Sequence, residues 1–219
     1  MTYNKAMRVY EIHITVDLSD IFNFNLFCKL NNIKTILAID DSSIPIQCMT
    51  GMFVLEDDLD LVMIRAKYLE RELEKFNVRV IKIKIEQRIS DLSQIEKIRH
   101  NSYFEYHIKI GGPQKISTEI PLTYFRQFNE LKAVVKKNNC SISCVYKYDE
   151  LKFILTFRID ASLDTELIEK IKNELVDNFK KRLSFDDNDV VKEYLAYDSL
   201  IDYDLESIKI IKEFRSFVE

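Results

Sequence analysis

The stretch Tyr10-Glu11-Ile12-His13-Ile14-Thr15-Val16 aligns without gaps on Phe104-Glu105-Tyr106-His107-Ile108-Lys109-Ile110. A glutamate, a histidine and the isoleucine after it are identical, each stretch begins with an aromatic residue, and each ends with a β-branched one. Both stretches alternate apolar and polar side chains, which is typical of a β-strand with one buried face. This internal similarity predicts that one arrangement of elements occurs twice in the chain.

Patterns of helical and strand period follow each copy in the same order. The first copy precedes a helix that begins near Ser19 or Asp20, strands at 35–39 and 44–55, a longer amphipathic helix and a strand at 78–86. The second precedes a helix near 122–138, strands near 140–148 and 151–160, a helix near 163–182 and a strand near 189–198. The chain is therefore predicted to be α+β, with two tandem ferredoxin-like β-α-β-β-α-β halves whose helices cover one face of an antiparallel sheet.

The predicted organisation along the chain has four parts. Residues 1–88 form the first ferredoxin-like half, 89–101 a linker, 102–198 the second half and 199–219 a C-terminal helix. We expect this helix, at about 204–217, to pack on the body through its apolar positions. These positions are Leu205, Ile208, Ile211 and Phe214.

Composition excludes several classes of protein. The chain has 219 residues, of which 47% are hydrophobic, so it can bury a substantial core. A net charge of -4 argues against non-specific binding of nucleic acid, which requires a basic surface. Only three glycines are present, so a glycine-rich phosphate loop is excluded.

The same sequence predicts a cytoplasmic protein. No apolar run approaches the length of about 18 residues that a membrane span needs, and the N-terminus lacks the pattern of a signal peptide. The four cysteines show no C-x2-C spacing, so we expect them to be reduced and buried rather than bound to zinc. They are Cys28, Cys48, Cys140 and Cys144.

Strand alternation separates a core face from an open face in each half. Glu11, His13 and Thr15 are predicted to lie on the open face of the first half, together with Lys84. The second half presents a similar polar set, which comprises Glu105, His107, Lys109 and Arg158. If the two open faces meet, they form a polar cleft suited to a phosphate, because Lys and Arg supply charge, Thr donates a hydrogen bond and His transfers protons near neutral pH.

The two strand-borne histidine motifs resemble those of the two-histidine phosphoesterases. His13-Ile14-Thr15 matches the His-x-Thr motif of that family, and His107-Ile108-Lys109 matches it at the histidine. The resemblance implies that His13 and His107 act as acid and base on a cyclic phosphate or related ester without a metal or other cofactor. In that family hydroxyl side chains hold the phosphate, so the motifs together with the other polar residues of the two open faces predict a substrate-binding set. That set is Thr15, Lys109, Arg158, Glu11, Glu105 and Lys84.

Other interpretations of the same residues remain open. Glu11-x-His13 and Glu105-x-His107 each place a carboxylate and an imidazole on one strand face, as a metal site could use. A non-catalytic scaffold that binds a protein partner or self-associates is a second alternative, since fold does not determine function. A solvated sheet face without a ligand is a third. RNA binding on the sheet is disfavoured, because the first-strand aromatic residues are expected to point into the core.

Overall fold

The computed structural model describes residues 7–40, 46–90, 95, 102–115, 122–147, 150–181, 183, 185–199 and 210–212. These residues form nine strands and four α-helices. The strands are β1 (Arg8–Val16), β2 (Lys34–Asp40), β3 (Ile46–Glu56), β4 (Val80–Arg88), β5 (Tyr103–Lys115), β6 (Ser141–Lys147), β7 (Glu150–Asp160), β8 (Val190–Asp198) and β9 (Ile210–Ile211). The helices are α1 (Ile21–Leu30), α2 (Leu59–Lys75), α3 (Leu122–Lys137) and α4 (Thr165–Lys180).

Eight of the strands close into an antiparallel β-barrel. Their order around the barrel is β5-β8-β4-β1-β3-β2-β6-β7, and pairing of β5 with β7 completes the ring. Every pairing within the ring is antiparallel. The short strand β9 pairs in parallel with β7 at Arg158 and Ile159, beyond the last residue that β7 shares with β6.

The apolar face of each strand packs against the helices on the outside of the barrel. Tyr10, Ile12 and Ile14 of β1 are almost fully buried in one core cluster with Phe24 of α1 and Val62 of α2. The opposite face of each strand lines the space that the barrel encloses, which we call the lumen. The alternation in β1 therefore separates a hydrophobic outer core from a polar interior.

Three of the helices end at an asparagine in the left-handed region of backbone conformation. Asn32, Asn77 and Asn139 follow α1, α2 and α3 with φ angles of 53°, 55° and 55°. Glycine is the usual residue at this position, and asparagine is the side chain that best tolerates it. This chain has only three glycines in 219 residues, and asparagine takes the place of glycine after these three helices.

The prediction of two tandem ferredoxin-like halves is wrong. In that fold each half keeps its own sheet, with free edges at its outer strands. Here β4 pairs with β8 and β2 pairs with β6, so the edges that two separate sheets would expose are joined to each other. Pairing satisfies the backbone N–H and C=O groups along those edges, which an open sheet leaves exposed. The two aligned stretches consequently belong to one closed sheet and not to two separate ones.

The prediction of a C-terminal helix is wrong at Ile210 and Ile211, which the structure describes as a strand. Ile210 and Ile211, within the predicted span of 204–217, form the strand β9. The remaining residues of that span apart from Lys212 lie outside the described residues, as do Asp91–Gln94 and 96–101 of the predicted linker.

The sequence predicts reduced, buried cysteines and no membrane-spanning segment. All four cysteines are free thiols, and Cys28, Cys48 and Cys140 are buried while Cys144 is partly buried. Among the described helices, none is long and apolar enough to cross a membrane.

We predict that Ile108→Ala lowers the free energy of unfolding by about 2–5 kcal/mol, because it removes a fully buried side chain from the middle of β5 and leaves a cavity. Urea denaturation followed by circular dichroism measures the change. Lys109→Ala is the control, since the neighbouring Lys109 is exposed and its loss should alter the value by less than about 0.5 kcal/mol. Equal effects of the two substitutions would contradict the assignment of the outer core.

Candidate functional site

The lumen is lined on one side by charged side chains from five adjacent strands. These strands are β7, β5, β8, β4 and β1 in order around the barrel. Each contributes residues from the face opposite the outer core, and most of them are buried. The polar residues of these strands that face the lumen include Glu11, His13, Thr15, Lys84, Glu86, Arg88, Tyr103, Glu105, His107, Thr156, Arg158 and Glu193.

His13 is held between a backbone carbonyl and two carboxylates. Its Nδ1 lies 2.9 Å from the carbonyl oxygen of Thr50. Its Nε2 lies 3.2 Å from Glu86 Oε2 and 3.7 Å from Glu11 Oε1. A carbonyl and a carboxylate only accept hydrogen bonds, so both ring nitrogens face acceptors and the imidazolium form donates to each.

His107 has a similar environment. Its Nδ1 lies 2.9 Å from Thr156 Oγ1, and its Nε2 lies 3.2 Å from Glu193 Oε2 and 3.4 Å from Glu105 Oε1. The hydroxyl of Thr156 can accept from Nδ1–H, which leaves Nε2 free to face the carboxylates with or without a proton. The two histidine sites thus have the same composition, a hydrogen-bonding oxygen on one side of the ring and two glutamates on the other.

Three cations link these two sites. Lys84 Nζ lies 2.6 Å from Glu86 Oε1 and 2.8 Å from Glu105 Oε2, so it connects the neighbour of one histidine with that of the other. Arg158 approaches both oxygens of Glu105, at 3.2 and 3.3 Å. Arg88 lies 3.4 Å from Glu11 and 3.4 Å from Glu193. The side chains therefore form one continuous network of charges around the lumen.

Burial and charge act in opposite directions on the histidines. Burial lowers the pKa of His13, but the hydrogen bond to Glu86 and the charges of Glu86 and Glu11 outweigh it and raise the pKa above its ordinary value of 6.5. Burial likewise lowers the pKa of His107, whereas the hydrogen bond to Glu193 and the charges of Glu105 and Glu193 raise it above 6.5 overall. In the absence of a metal, both rings therefore keep their proton to a higher pH than an ordinary histidine does.

The carboxyl groups respond to the same network. Burial raises the pKa of Glu105, but Arg158 and Lys84 reverse this effect and bring the pKa to about 2. Burial also raises the pKa of Glu86, and Lys84 together with His13 more than offsets it, so its pKa lies well below the ordinary value of 4.5. Both glutamates therefore remain ionised near neutral pH.

Three of these residues have the spacing of a metal site. One ligand atom from each of Glu86, His107 and Glu193 lies within 4.8 Å of the other two. A cation about 2.1 Å from each atom would require separations of about 3–4 Å, so small side-chain movements suffice to bring the atoms to a common ion. The residues come from β4, β5 and β8, three strands that are adjacent in the barrel.

The other side of the lumen has a mixed character. By strand register, Gly51 and Met49 of β3, Ile36 and Ala38 of β2 and Val145 of β6 face the lumen there. The same register places polar side chains on this wall, namely Lys34, Gln47, Ser143 and Lys152. A Cβ atom on Gly51 would lie 2.7 Å from Ile36 Cδ1, so the wall is closely packed at this point. The lumen accordingly has one wall of paired charges and one wall on which apolar and polar side chains are mixed.

Most of the predicted site residues are brought together. His13, Glu11, Lys84, Glu105, His107 and Arg158 all belong to the charged network. Thr15 is buried on the lumenal face of β1 and pairs in register with Lys82. Lys109 differs from the rest, because it is exposed and lies just beyond Ile108, the last residue of β5 that pairs with β8.

Sequence reasoning missed other members of the network. It did not select Glu86, Glu193, Arg88 or Tyr103. Glu193 could have been found from the alternation of Val190–Asp198, in which it lies opposite Tyr194 and Ala196. Tyr103 is fully buried beside Arg158, whose guanidinium carbon lies 5.7 Å from the ring centroid. It lay outside the aligned stretches, so the alignment offered no signal for it.

No family model, curated protein or solved structure matches the chain, so the geometry of the lumen is the basis for a functional assignment.

We predict that the lumenal histidines stabilise the fold more at acidic than at alkaline pH. Their pKa values are raised in the folded state, so their contribution is fully present below the unfolded value of about 6.5 and is lost as the pH rises through the folded values. The measurement compares the wild type with the double variant His13→Asn, His107→Asn by urea denaturation in metal-free buffer from about pH 6 to about pH 9.

The difference in the free energy of unfolding between the two proteins should shrink as the pH rises. His100 is present in both proteins, so its titration cancels in the comparison. A difference that stays constant or grows with pH would contradict the raised pKa values.

Proposed function

We propose that the lumen binds a divalent cation between Glu86, His107 and Glu193 and, through that cation, a phosphate-bearing small molecule. The observation that carries the proposal is the approach of three ligand atoms to within 4.8 Å of one another inside a closed barrel. Two carboxylates and an imidazole form a donor set suited to Mn²⁺, Zn²⁺ or Fe²⁺, and carboxylates also bind Mg²⁺.

The surrounding contacts support this proposal, because each ligand is oriented by a further residue. Thr156 contacts His107 at Nδ1, on the side of the ring away from the candidate site. Lys84 contacts Glu86, and Arg88 contacts Glu193. Such outer contacts orient the ligands of metal sites and favour the ionised carboxylate.

The charges explain why a metal would assist in binding phosphate. Lys84, Arg88 and Arg158 each lie beside a glutamate, so an approaching phosphate would meet negative charge together with positive charge. A divalent cation on Glu86 and Glu193 would offset two of these carboxylates. The lysine and arginines could then contribute to holding the phosphate, as charge-assisted hydrogen bonds do.

His13 is the group that we propose for proton transfer. It shares Glu86 with the candidate metal site, yet it does not belong to the three ligands. If a water molecule attacks the phosphorus of a bound ester, a histidine with a raised pKa can donate its proton to the ester oxygen as the P–O bond breaks, so that phosphate and an alcohol are released. In this scheme His107 is a ligand and His13 is the acid, so the two histidines have different roles.

We predict that the purified, chelator-treated protein binds about one Mn²⁺ per chain in isothermal titration calorimetry, since the donor set forms a single site. Glu193→Gln and Glu86→Gln should each weaken this binding at least about tenfold, because an amide oxygen carries no charge to attract the cation. Glu72→Gln is the matched control, since Glu72 pairs with Lys75 on α2, on the outside of the barrel. Circular dichroism establishes that each variant is folded.

The same titration is repeated with inorganic pyrophosphate in the presence and absence of Mn²⁺. Pyrophosphate should bind only to the protein that has bound the metal. Absence of Mn²⁺ binding, or equal binding by the wild type and Glu193→Gln, would overturn the metal site. Pyrophosphate binding that does not depend on Mn²⁺ would overturn the coupling between metal and phosphate.

A second function, interaction with another protein, is favoured by the outer surface of two helices. The exposed face of α1 carries Phe22, Leu26 and Leu30 at helical spacing. The exposed face of α2 carries a second stripe that includes Ile64 and Tyr68. An exposed apolar stripe on a helix is a candidate association surface. We propose that it mediates self-association of the chain.

We predict that the protein forms a dimer at micromolar concentration and that Leu26→Lys shifts it to a monomer, because a charge would be buried in the contact. Size-exclusion chromatography with light scattering measures the mass. Asn25→Lys is the control, since it adds the same charge to an exposed polar position of α1. A wild-type protein that is monomeric at all concentrations would refute self-association through this surface.

A further inference from the structure

We propose that one end of the lumen, formed by Val9, Phe53 and Leu55 with Arg88 beside them, binds a planar aromatic group of the ligand whose phosphate is bound further inside. We call the three apolar residues the rim. The ligand class is therefore a phosphate ester of a flat aromatic group, of which nucleotides are the available probes. This inference rests on the proposed function, since it assigns the organic part of the same ligand.

The strand register places the rim on the lumenal face. Phe53 of β3 pairs with Glu11 of β1, and Leu55 pairs with Val9. Residues that pair across antiparallel strands project to the same side of the sheet, so Phe53 shares the face of Glu11. Val54, which lies between Phe53 and Leu55 and points the other way, is buried in the outer core.

The rim is unusual because its apolar side chains are exposed. Phe53, Leu55 and Val9 have 48%, 57% and 40% of their surface accessible, whereas the charged residues of the same face are mostly buried. Among the described residues, Arg88 is the cation stacked on Phe53, with its guanidinium carbon 4.6 Å from the ring centroid. An exposed aromatic ring beside an arginine is a platform on which a planar group can stack.

Arg88 connects the rim to the candidate metal site. Its guanidinium contacts Phe53, Glu11 and Glu193, and Glu193 is one of the three candidate metal ligands. Phe53 and Glu193 are on β3 and β8, which are separated by β1 and β4. Their side chains approach each other across Arg88, whose guanidinium carbon lies 4.6 Å from the Phe53 ring centroid and whose Nε lies 3.4 Å from Glu193 Oε1. One ligand can therefore place a ring near Phe53 and reach the metal with a phosphate.

The charged wall and the rim suit different parts of such a ligand. The charged wall suits a phosphate, and the apolar side chains of the rim suit an uncharged ring. A bare polyphosphate would use the charged wall alone. The rim thus predicts that the organic part of the ligand contributes to affinity.

The test compares ligands that differ only in the organic part. Binding of ADP and of inorganic pyrophosphate is measured by isothermal titration calorimetry with Mn²⁺ present, for the wild type, Phe53→Ala and Phe22→Ala. Phe22 is the matched control, because it is a highly exposed phenylalanine on the outside of the barrel. Circular dichroism checks that Phe53→Ala is folded.

We expect the wild type to bind ADP about tenfold more tightly than pyrophosphate, which corresponds to one stacking contact of about 1.4 kcal/mol. Phe53→Ala should remove this advantage and leave pyrophosphate affinity unchanged, whereas Phe22→Ala should behave as the wild type. Equal affinities of the wild type for ADP and pyrophosphate would overturn the rim and leave the proposed function intact. Loss of both ligands in Phe53→Ala would also overturn it. Failure of the wild type to bind either ligand would refute the proposed function and the rim together.

Discussion

Charged groups enclosed by a closed sheet must find partners within it, and this constraint organises the interior of the barrel. Removing an ion from water costs several kcal/mol that only another charge or a hydrogen bond can offset. Glu105 illustrates the outcome, because it is 2% exposed and is contacted by Lys84, Arg158 and His107. The network around it stabilises the ionised form of Glu86 and the protonated form of His13. The positions of the side chains in the candidate site follow from this requirement.

The alternation of side chains could be predicted from the sequence, and the closure of the barrel could not. The division of β1 into Ile12 and Ile14 on one face and Glu11 and His13 on the other follows from strand geometry alone. Pairing of β2 with β6 and of β4 with β8 depends on backbone groups that are the same in every residue. The alternation of side chains in these four strands does not show which strand each edge pairs with, and the fold class was therefore mispredicted.

The difference between side-chain alternation, which the sequence shows, and strand pairing, which it does not, also explains which site residues were found. His13 and His107 stood out because histidine is rare in this chain and both occur in the aligned stretches. Glu193 has no special neighbour in the sequence, and its role depends on β8 lying between β4 and β5. That adjacency brings Glu86, His107 and Glu193 together, so the candidate metal site could be recognised only once the strand order was known.

The two pairings that close the barrel have a consequence for how the chain folds. Strand β2 at 34–40 meets β6 at 141–147, and β4 at 80–88 meets β8 at 190–198, so both pairings join segments about a hundred residues apart. Contacts so distant in sequence form slowly, because a long loop must be ordered before they are made. A chain emerging from the ribosome has β1 to β4 long before their partners exist, and it carries unpaired strand edges during that interval. The candidate site is therefore assembled last, when the second half of the chain supplies His107 and Glu193.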